Sequence, residues 1–342
     1  MTQPGNDQPI EERLCLATTA RLGAGQILGL ARLSGGASQE IWSFVFQNAD
    51  QTSPVRLILR RAPPGINAGE RDTAVTLSTE ADVQQRAGAA NVPVAPIRFV
   101  LNPDDGLGDG YVMDHVDGET IARKILRDQV FVPIRPHLAR QCGEILTRLH
   151  QTPVKGLSLR NFGAADQLAR YRAIYESFAD PRPVFDWAFA WLGRHPAIGQ
   201  ATPDPDNAVL VHGDFRNGNL MIGPDGVRAV LDWELTHLGD GHEDLGWICV
   251  NSWRFGEIDQ PVGGFGSRED LFAGYESLGR GSVDPERVRF WETFGTLKWG
   301  IMCMTMTATH LSGAAPSVER ATIGRRASET EIDLLDIIAG DA

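Results

Sequence analysis

The segment Val211-His-Gly-Asp-Phe-Arg-Asn-Gly-Asn219, followed by Val230-Leu-Asp-Trp-Glu234, sets three oxygen-bearing side chains at two short intervals. Asp214 is a carboxylate able to accept a proton from an attacking hydroxyl. Asn219, five residues on, offers a neutral amide oxygen of the kind that suits a hard cation such as Mg²⁺, which keeps several of its waters. Asp232 adds a second oxygen ligand, and a cation so held can bridge phosphate oxygens as negative charge shifts during transfer. Any one such Asp is ordinarily a turn residue, but the set of three points to phosphoryl transfer.

The surrounding pattern supplies elements to hold these groups. The apolar run Ala208-Val-Leu-Val211 ends in His212-Gly213, so a short buried strand is expected to deliver Asp214 to an exposed turn. Leu220 to Ile222 and Val227 to Leu231 read as two strands joined by the turn Gly223-Pro-Asp-Gly226, a hairpin that returns the chain with Asp232 at its end. Arg216, two residues after Asp214, is read either as a cation that neutralises a transferring phosphate or as a solvated surface side chain.

The order Asp, Asn five residues later, and Asp beyond a hairpin is that of the protein kinases, with Gly213 in place of their Arg and Trp233-Glu234 in place of Phe-Gly. The His-Gly-Asp form resembles the aminoglycoside phosphotransferase and choline kinase superfamily. Together with Leu-Asp-Trp-Glu-Leu235 and Gly239-Asp-Gly-His-Glu-Asp-Leu-Gly-Trp247, it is most similar to the kinase-like domains fused to some acyl-CoA dehydrogenases. This resemblance implies an α+β, two-lobed protein-kinase-like fold with a small antiparallel-sheet lobe and a mainly helical one. It further implies ATP or another nucleoside triphosphate and Mg²⁺ as cofactors, Asp214 as catalytic base with Arg216 beside it, and Asn219 and Asp232 as metal ligands. A hydroxyl of a small molecule is the implied acceptor, a hydroxy acid or hydroxyacyl-CoA favoured over an antibiotic.

Upstream, Ile27 to Leu33, Ile41 to Phe46 and Val55 to Leu59 read as strands, with the turn Ser34-Gly35-Gly36 between the first two. Adjacent glycines let backbone N–H groups approach a phosphate, so these three are nucleotide-site candidates. The third strand ends in Arg60-Arg61 where kinases carry the Lys that pairs phosphates with a helix Glu. The family match puts Arg60 in the cleft, with Arg61 on the opposite face. Glu80, in an expected helix from Thr76 to Ala87, is the favoured partner over Glu70 and Asp82. Ile97 to Leu101 and Gly110 to Asp114 close the sheet. Met113 falls where the superfamily binds adenine through backbone groups. The expected divisions are an N-terminal extension (1–24), a nucleotide-binding lobe (25–113), a hinge (114–119) and a catalytic and acceptor-binding lobe (120–342).

Beyond the hinge the period changes. Leu138, Cys142, Ile145, Leu146 and Leu149 mark a helix from His137 to His150; Gln167 to Ala179, Val184 to His195, Trp291 to Met306 and Glu329 to Ile338 read likewise. Asp244 is expected to cap a helix or tether the catalytic loop, Glu234 to orient the metal or acceptor, and the loop Pro261 to Gly266 to flex. His237, His242 and Glu243 do not have zinc-site spacing.

Composition narrows the function classes. At 342 residues, 42% hydrophobic and 22% charged, the chain has the make-up of a globular enzyme. A formal charge of -12 argues against a nucleic-acid partner. No run approaches the ~20 apolar residues needed to span a bilayer, and the first ten residues show no basic-then-apolar leader, so no membrane partner and a cytoplasmic setting are expected. The four scattered cysteines are expected as free thiols. Because Arg60 replaces Lys, the rival reading is a nucleotide-binding pseudokinase or regulatory module. A protein-substrate kinase is disfavoured, since no Ala-Pro-Glu follows Asp232.

Overall fold

The computed structural model describes residues 9–33, 39–49, 54–62, 75–201, 208–279 and 281–340. The chain divides into two compact units: Met1–Gly118 with Lys155–Ser158 and Arg228–Thr236, and Glu119–Val154 with Leu159–Val227 and His237–Ala342.

In the first unit α1 (Ile10–Leu22) precedes β1 (Gly25–Arg32), β2 (Glu40–Asn48) and β3 (Val55–Arg61); α2 (Leu77–Ala89) then leads to β4 (Ile97–Val100) and β5 (Gly110–Asp114). The strands form one antiparallel sheet in the order β1-β2-β3-β5-β4. Period-two alternation puts Phe44, Phe46, Leu57 and Leu59 on the face that closes over Leu14 and Ala17 of α1. Each such side chain, fully buried, contributes about 1.5–3 kcal/mol. α2 starts at Thr76, whose hydroxyl accepts from the Thr79 N–H, and it packs Leu77 and Ala81 against Tyr111 and Met113.

The second unit contains α3 (Ala122–Arg127), α4 (Leu138–His150), α5 (Ala164–Ser177), α6 (Pro183–Arg194) and α7 (Ala197–Gln200), then β6 (Val209–Val211) and β7 (Leu220–Gly223). The strand β8 (Gly226–Val230) pairs with β7 as the chain leaves this unit, and the chain re-enters it at β9 (His237–Gly239), which pairs with β6. The helices α8 (His242–Trp247), α9 (Arg268–Glu276), α10 (Pro285–Leu311), α11 (Val318–Gly324) and α12 (Ala327–Ala339) complete it. The 27-residue α10 opens at Asp284, whose carboxylate accepts from two backbone N–H groups, and buries Phe290, Trp291, Phe294 and Leu297 against Trp247 of α8 and Phe185 of α6. α4 and α9 pack backbone to backbone: a Cβ on Gly143 would lie 2.1 Å from the Leu271 carbonyl oxygen, and one on Gly274 2.1 Å from that of Arg140. Among the described residues no helix is long and apolar enough to cross a membrane, and the four cysteines are free thiols.

Candidate active site

In the first unit Arg60 lies at the end of β3 with its guanidinium between two carboxylates. Nε is 3.2 Å from Glu80 Oε2, and Nη2 donates to Asp232 Oδ1 at 2.9 Å. The Nε–H does not point at Glu80, so that contact is Coulombic, whereas the one to Asp232 is a charge-assisted hydrogen bond. Arg61, one residue on, faces the other way and pairs with Glu40. Glu80, fully buried in α2, also accepts from the Tyr111 hydroxyl and from Gln39 Nε2, both at 3.2 Å. Of its rivals, Asp82 pairs with Arg86 along the helix and Glu70 lies outside the described residues.

Burial pushes the Glu80 carboxyl up to about 7 despite the opposing pull of Arg60. Burial also works against the Arg60 charge, but the oxygens of Tyr111, Glu80 and Asp232 more than offset it and raise Arg60 above its ordinary value. Asp232 has φ 64° and ψ 69°, a left-handed conformation that costs a non-glycine residue about 1–3 kcal/mol. Its neighbours hold it there: Trp233 is buried with Nε1 on the Val230 carbonyl, the Val230 N–H reaches Pro93 O, and Glu234 O accepts from the Val75 N–H. Met113 packs beside Ile97 and Val100 in the core, with Gln84 Nε2 3.8 Å from its sulfur. Ser34, Gly35 and Gly36 lie outside the described residues.

In the second unit the loop after β6 is fixed from beneath by Asp244. This carboxylate, buried in the first turn of α8, accepts the His212 N–H at 2.8 Å and the Gly213 N–H at 3.0 Å. His150 Nε2 lies 3.2 Å from it, and His150 Nδ1 lies 2.9 Å from the Tyr275 hydroxyl. Burial alone would raise Asp244; His150 and the loop hold it below the usual carboxylate range. Asp244 thus tethers the loop from inside the helix. Gly213, at φ 79°, takes the left-handed turn the tether demands.

Above this clamp three donors converge on Asp214. Trp247 Nε1 and Arg216 Nε reach Oδ1 at 2.8 and 3.0 Å, and Asn219 Nδ2 reaches Oδ2 at 2.6 Å. Arg216 also stacks over Trp253 at 4.6 Å. Two of these donors, Arg216 and Asn219, carry motif positions; Trp247 ends a different helix and is not recognisable as a donor from the sequence. Lys298 is a second residue the sequence conceals. From the middle of α10 its buried ammonium sits 4.7 Å from the Trp247 ring, 3.5 Å from Gly213 O and 3.8 Å from Glu243. Burial works against that charge, but Tyr171, Glu243, Asp214 and Asp244 raise its pKa. His237 pairs with Glu243 and His242 with Asp240, and no cluster of three or more His, Cys, Asp or Glu able to hold a metal occurs among the described residues. The loop expected to flex is instead buried and pinned, its Gly263 carbonyl accepting from Asn217 Nδ2 at 2.7 Å.

Each unit therefore assembles part of the expected set: Arg60, Glu80 and Asp232 in one, Asp214, Arg216 and Asn219 in the other. Residues 29–291 match the model of the phosphotransferase enzyme family. The chain is 26% identical over 266 residues to mouse acyl-CoA dehydrogenase family member 10, a match covering 72% of this chain and 23% of that relative, so the chain corresponds to about a quarter of the longer protein. Among solved structures, one from Ralstonia eutropha assigned to the aminoglycoside phosphotransferases superposes with a TM-score of 0.72 at 21% identity, covering 95% of this chain and 97% of that one. Spectinomycin phosphotransferase in complex with ADP and spectinomycin gives 0.60 at 14% identity, covering 96% and 98%. These likenesses establish the fold.

Proposed function

On the premise that the chain belongs to the phosphotransferase enzyme family, we propose that it transfers the terminal phosphoryl group of ATP to a hydroxyl of a small molecule, with Mg²⁺. The observation that carries this reading is the Asp214 carboxylate, oriented by three donors on a loop clamped by a buried Asp244. Asp214 accepts the acceptor's hydroxyl proton; the hydroxyl oxygen bonds to phosphorus; the bond to the bridging oxygen breaks and ADP leaves. The groups are positioned before the reaction, so most of the acceleration comes from orientation and charge neutralisation.

Arg60 takes the role of the usual Lys, an always-charged fork held by Glu80. Ser34, Gly35, Gly36 and the Met113 backbone are assigned to the nucleotide. Arg216 orients Asp214 and neutralises the transferring group. Asn219 and Asp232 are assigned to Mg²⁺, and their chemistry fits it: among the described residues each keeps one side-chain oxygen that no protein donor takes, Asn219 because its Nδ2 serves Asp214 and Asp232 because only its Oδ1 serves Arg60. When bound, Mg²⁺ supplies charge to the phosphate oxygens. The likeness to an acyl-CoA dehydrogenase family member supports a hydroxy acid or hydroxyacyl-CoA as acceptor.

The test is ADP release across a panel of hydroxylated acceptors with wild type and Asp214→Asn. Loss of a general base is expected to lower kcat by about 10²–10⁴-fold with the circular dichroism spectrum unchanged. Full activity in the variant refutes the assignment, and a wild type without Mg²⁺-dependent turnover on any acceptor favours the pseudokinase reading.

A further inference from the structure

Lys298 is one of three lysines in a chain with 29 arginines, so a lysine at a buried position departs from the chain's usual cation. Elsewhere in the second unit arginine meets buried carboxylates at hydrogen-bond distance: Arg254 and Arg268 reach Glu292 at 2.9 and 2.7 Å, and Arg287 reaches Asp240 at 2.7 Å. Lys298 does not follow that pattern. Its ammonium, buried in the middle of α10, stands 3.8 Å from Glu243 Oε1, beyond hydrogen-bond reach, while Glu243 Oε2 accepts from Gln167 Nε2 at 2.6 Å. Its nearer oxygen, at 3.5 Å, is the carbonyl of Gly213. An ammonium buried only to pair with Glu243 would close on it, since a loosely met buried ion pair is ordinarily no more stable than apolar side chains in its place.

What Lys298 touches leads to Asp214 by two routes. The Gly213 carbonyl and the Asp214 N–H belong to one planar peptide group. Lys298 donates to that carbonyl, and the N–H donates to His212 Nδ1 at 3.2 Å, so the plane that carries Asp214 is gripped at both ends. The second route is the indole of Trp247. Its ring lies 4.7 Å from the ammonium, and its Nε1–H donates to Asp214 Oδ1 at 2.8 Å. A cation over an indole ring draws electron density from it and makes the N–H a stronger donor to a carboxylate. Burial works against the ammonium's charge, which Tyr171, Glu243, Asp214 and Asp244 preserve.

We propose that Lys298 is a positioning residue for the transfer: through the Gly213–Asp214 peptide and the Trp247 indole it fixes the direction in which the Asp214 carboxylate faces the acceptor's hydroxyl. This rests on the phosphotransferase reading and adds to it a residue from outside the motif segments. The rival role for Lys298 is neutralisation of Glu243 alone. The two roles separate when both charges are removed together. Lys298→Met leaves Glu243 buried without its cation and is expected to melt lower than wild type. Lys298→Met/Glu243→Gln has no stranded charge and is expected to recover most of that stability.

In that double variant kcat is expected to stay about tenfold or more below both wild type and Glu243→Gln, with the nucleotide KM unchanged. A second readout needs no turnover. Hydrogen exchange of the Trp247 indole N–H, assigned as the resonance absent from Trp247→Phe, is expected to be about tenfold or more faster in the double variant than in wild type. The Trp291 indole is the internal control, because its N–H is held in the same way by Asp240 Oδ2 at 2.6 Å. A wild type that turns over no acceptor defeats the phosphotransferase reading and leaves the exchange of Trp247 to decide the role of Lys298. Recovery of kcat together with stability, a kcat loss matched by Glu243→Gln alone, unchanged exchange at Trp247, or equal acceleration at Trp247 and Trp291 overturns the proposal.

Discussion

Replacing Arg60 with Met leaves the buried Glu80 without its cation, and the expected cost depends on pH. In the folded chain Glu80 titrates at about 7 against an ordinary 4.5. Its pKa is raised on folding, so its contribution to stability is present in full below the ordinary value and is lost as pH rises through 7. At about 1.4 kcal/mol per unit, the raised value already corresponds to roughly 3 kcal/mol by high pH. Arg60 is the group that opposes a still larger rise. Without it, a lift of about two further units makes the variant's destabilisation roughly 2 kcal/mol larger at about pH 8.5 than at about pH 5.5, where Glu80 is protonated in both proteins. The Asp232 contact is lost at both values, but that carboxylate is 37% exposed, so solvent discounts it to about 1 kcal/mol or less. Guanidinium unfolding of wild type, Arg60→Met and Arg60→Met/Glu80→Gln at the two pH values measures this directly. The double variant is expected to recover most of the loss at high pH. Equal destabilisation at both pH values, or no recovery in the double variant, refutes the reasoning that Arg60 is there to neutralise Glu80.

Two further outcomes follow from distances in the second unit. Trp247→Phe keeps the ring but deletes the donor 2.8 Å from Asp214, and is expected to lower kcat about tenfold or more with the nucleotide KM unchanged; unchanged kcat dismisses Trp247 as a positioning residue. Gly143→Ala forces a methyl to within 2.1 Å of the Leu271 carbonyl oxygen and separates α4 from α9, for a loss of about 1–3 kcal/mol or more in a chemical melt; a neutral result shows that the two helices shift apart without penalty.

The residues that announce phosphoryl transfer were readable because their spacing is local. Asp214 and Asn219 share one loop, and Asp232 ends the next hairpin, so five-residue and hairpin intervals survive as sequence pattern. Alternation along β3 likewise separated Arg60 from Arg61. Only part of what holds these groups was hidden by distance along the chain. Asp244, which its own motif offered as a helix cap or loop tether, meets the His212 and Gly213 N–H groups from 32 and 31 residues away, whereas His150, which joins it from 94 away, left no pattern in the sequence. Lys298 sits in a helix whose Trp and Met neighbours read as core. α1 gave little signal because few of its side chains are deeply buried, Leu14 and Ala17 among them, yet these help cover the sheet.

The assignment of residues 228–236 to the first unit has a consequence for how this protein is made. A ribosome releases the chain from its N-terminus, so Arg60 emerges 172 residues before Asp232. Until then the sheet lacks the segment that pairs with Pro93 and Val75. A nascent chain cut at residue 118 is therefore an unfinished object rather than a domain. The first unit is begun early in translation and can be closed only after much of the second has left the ribosome.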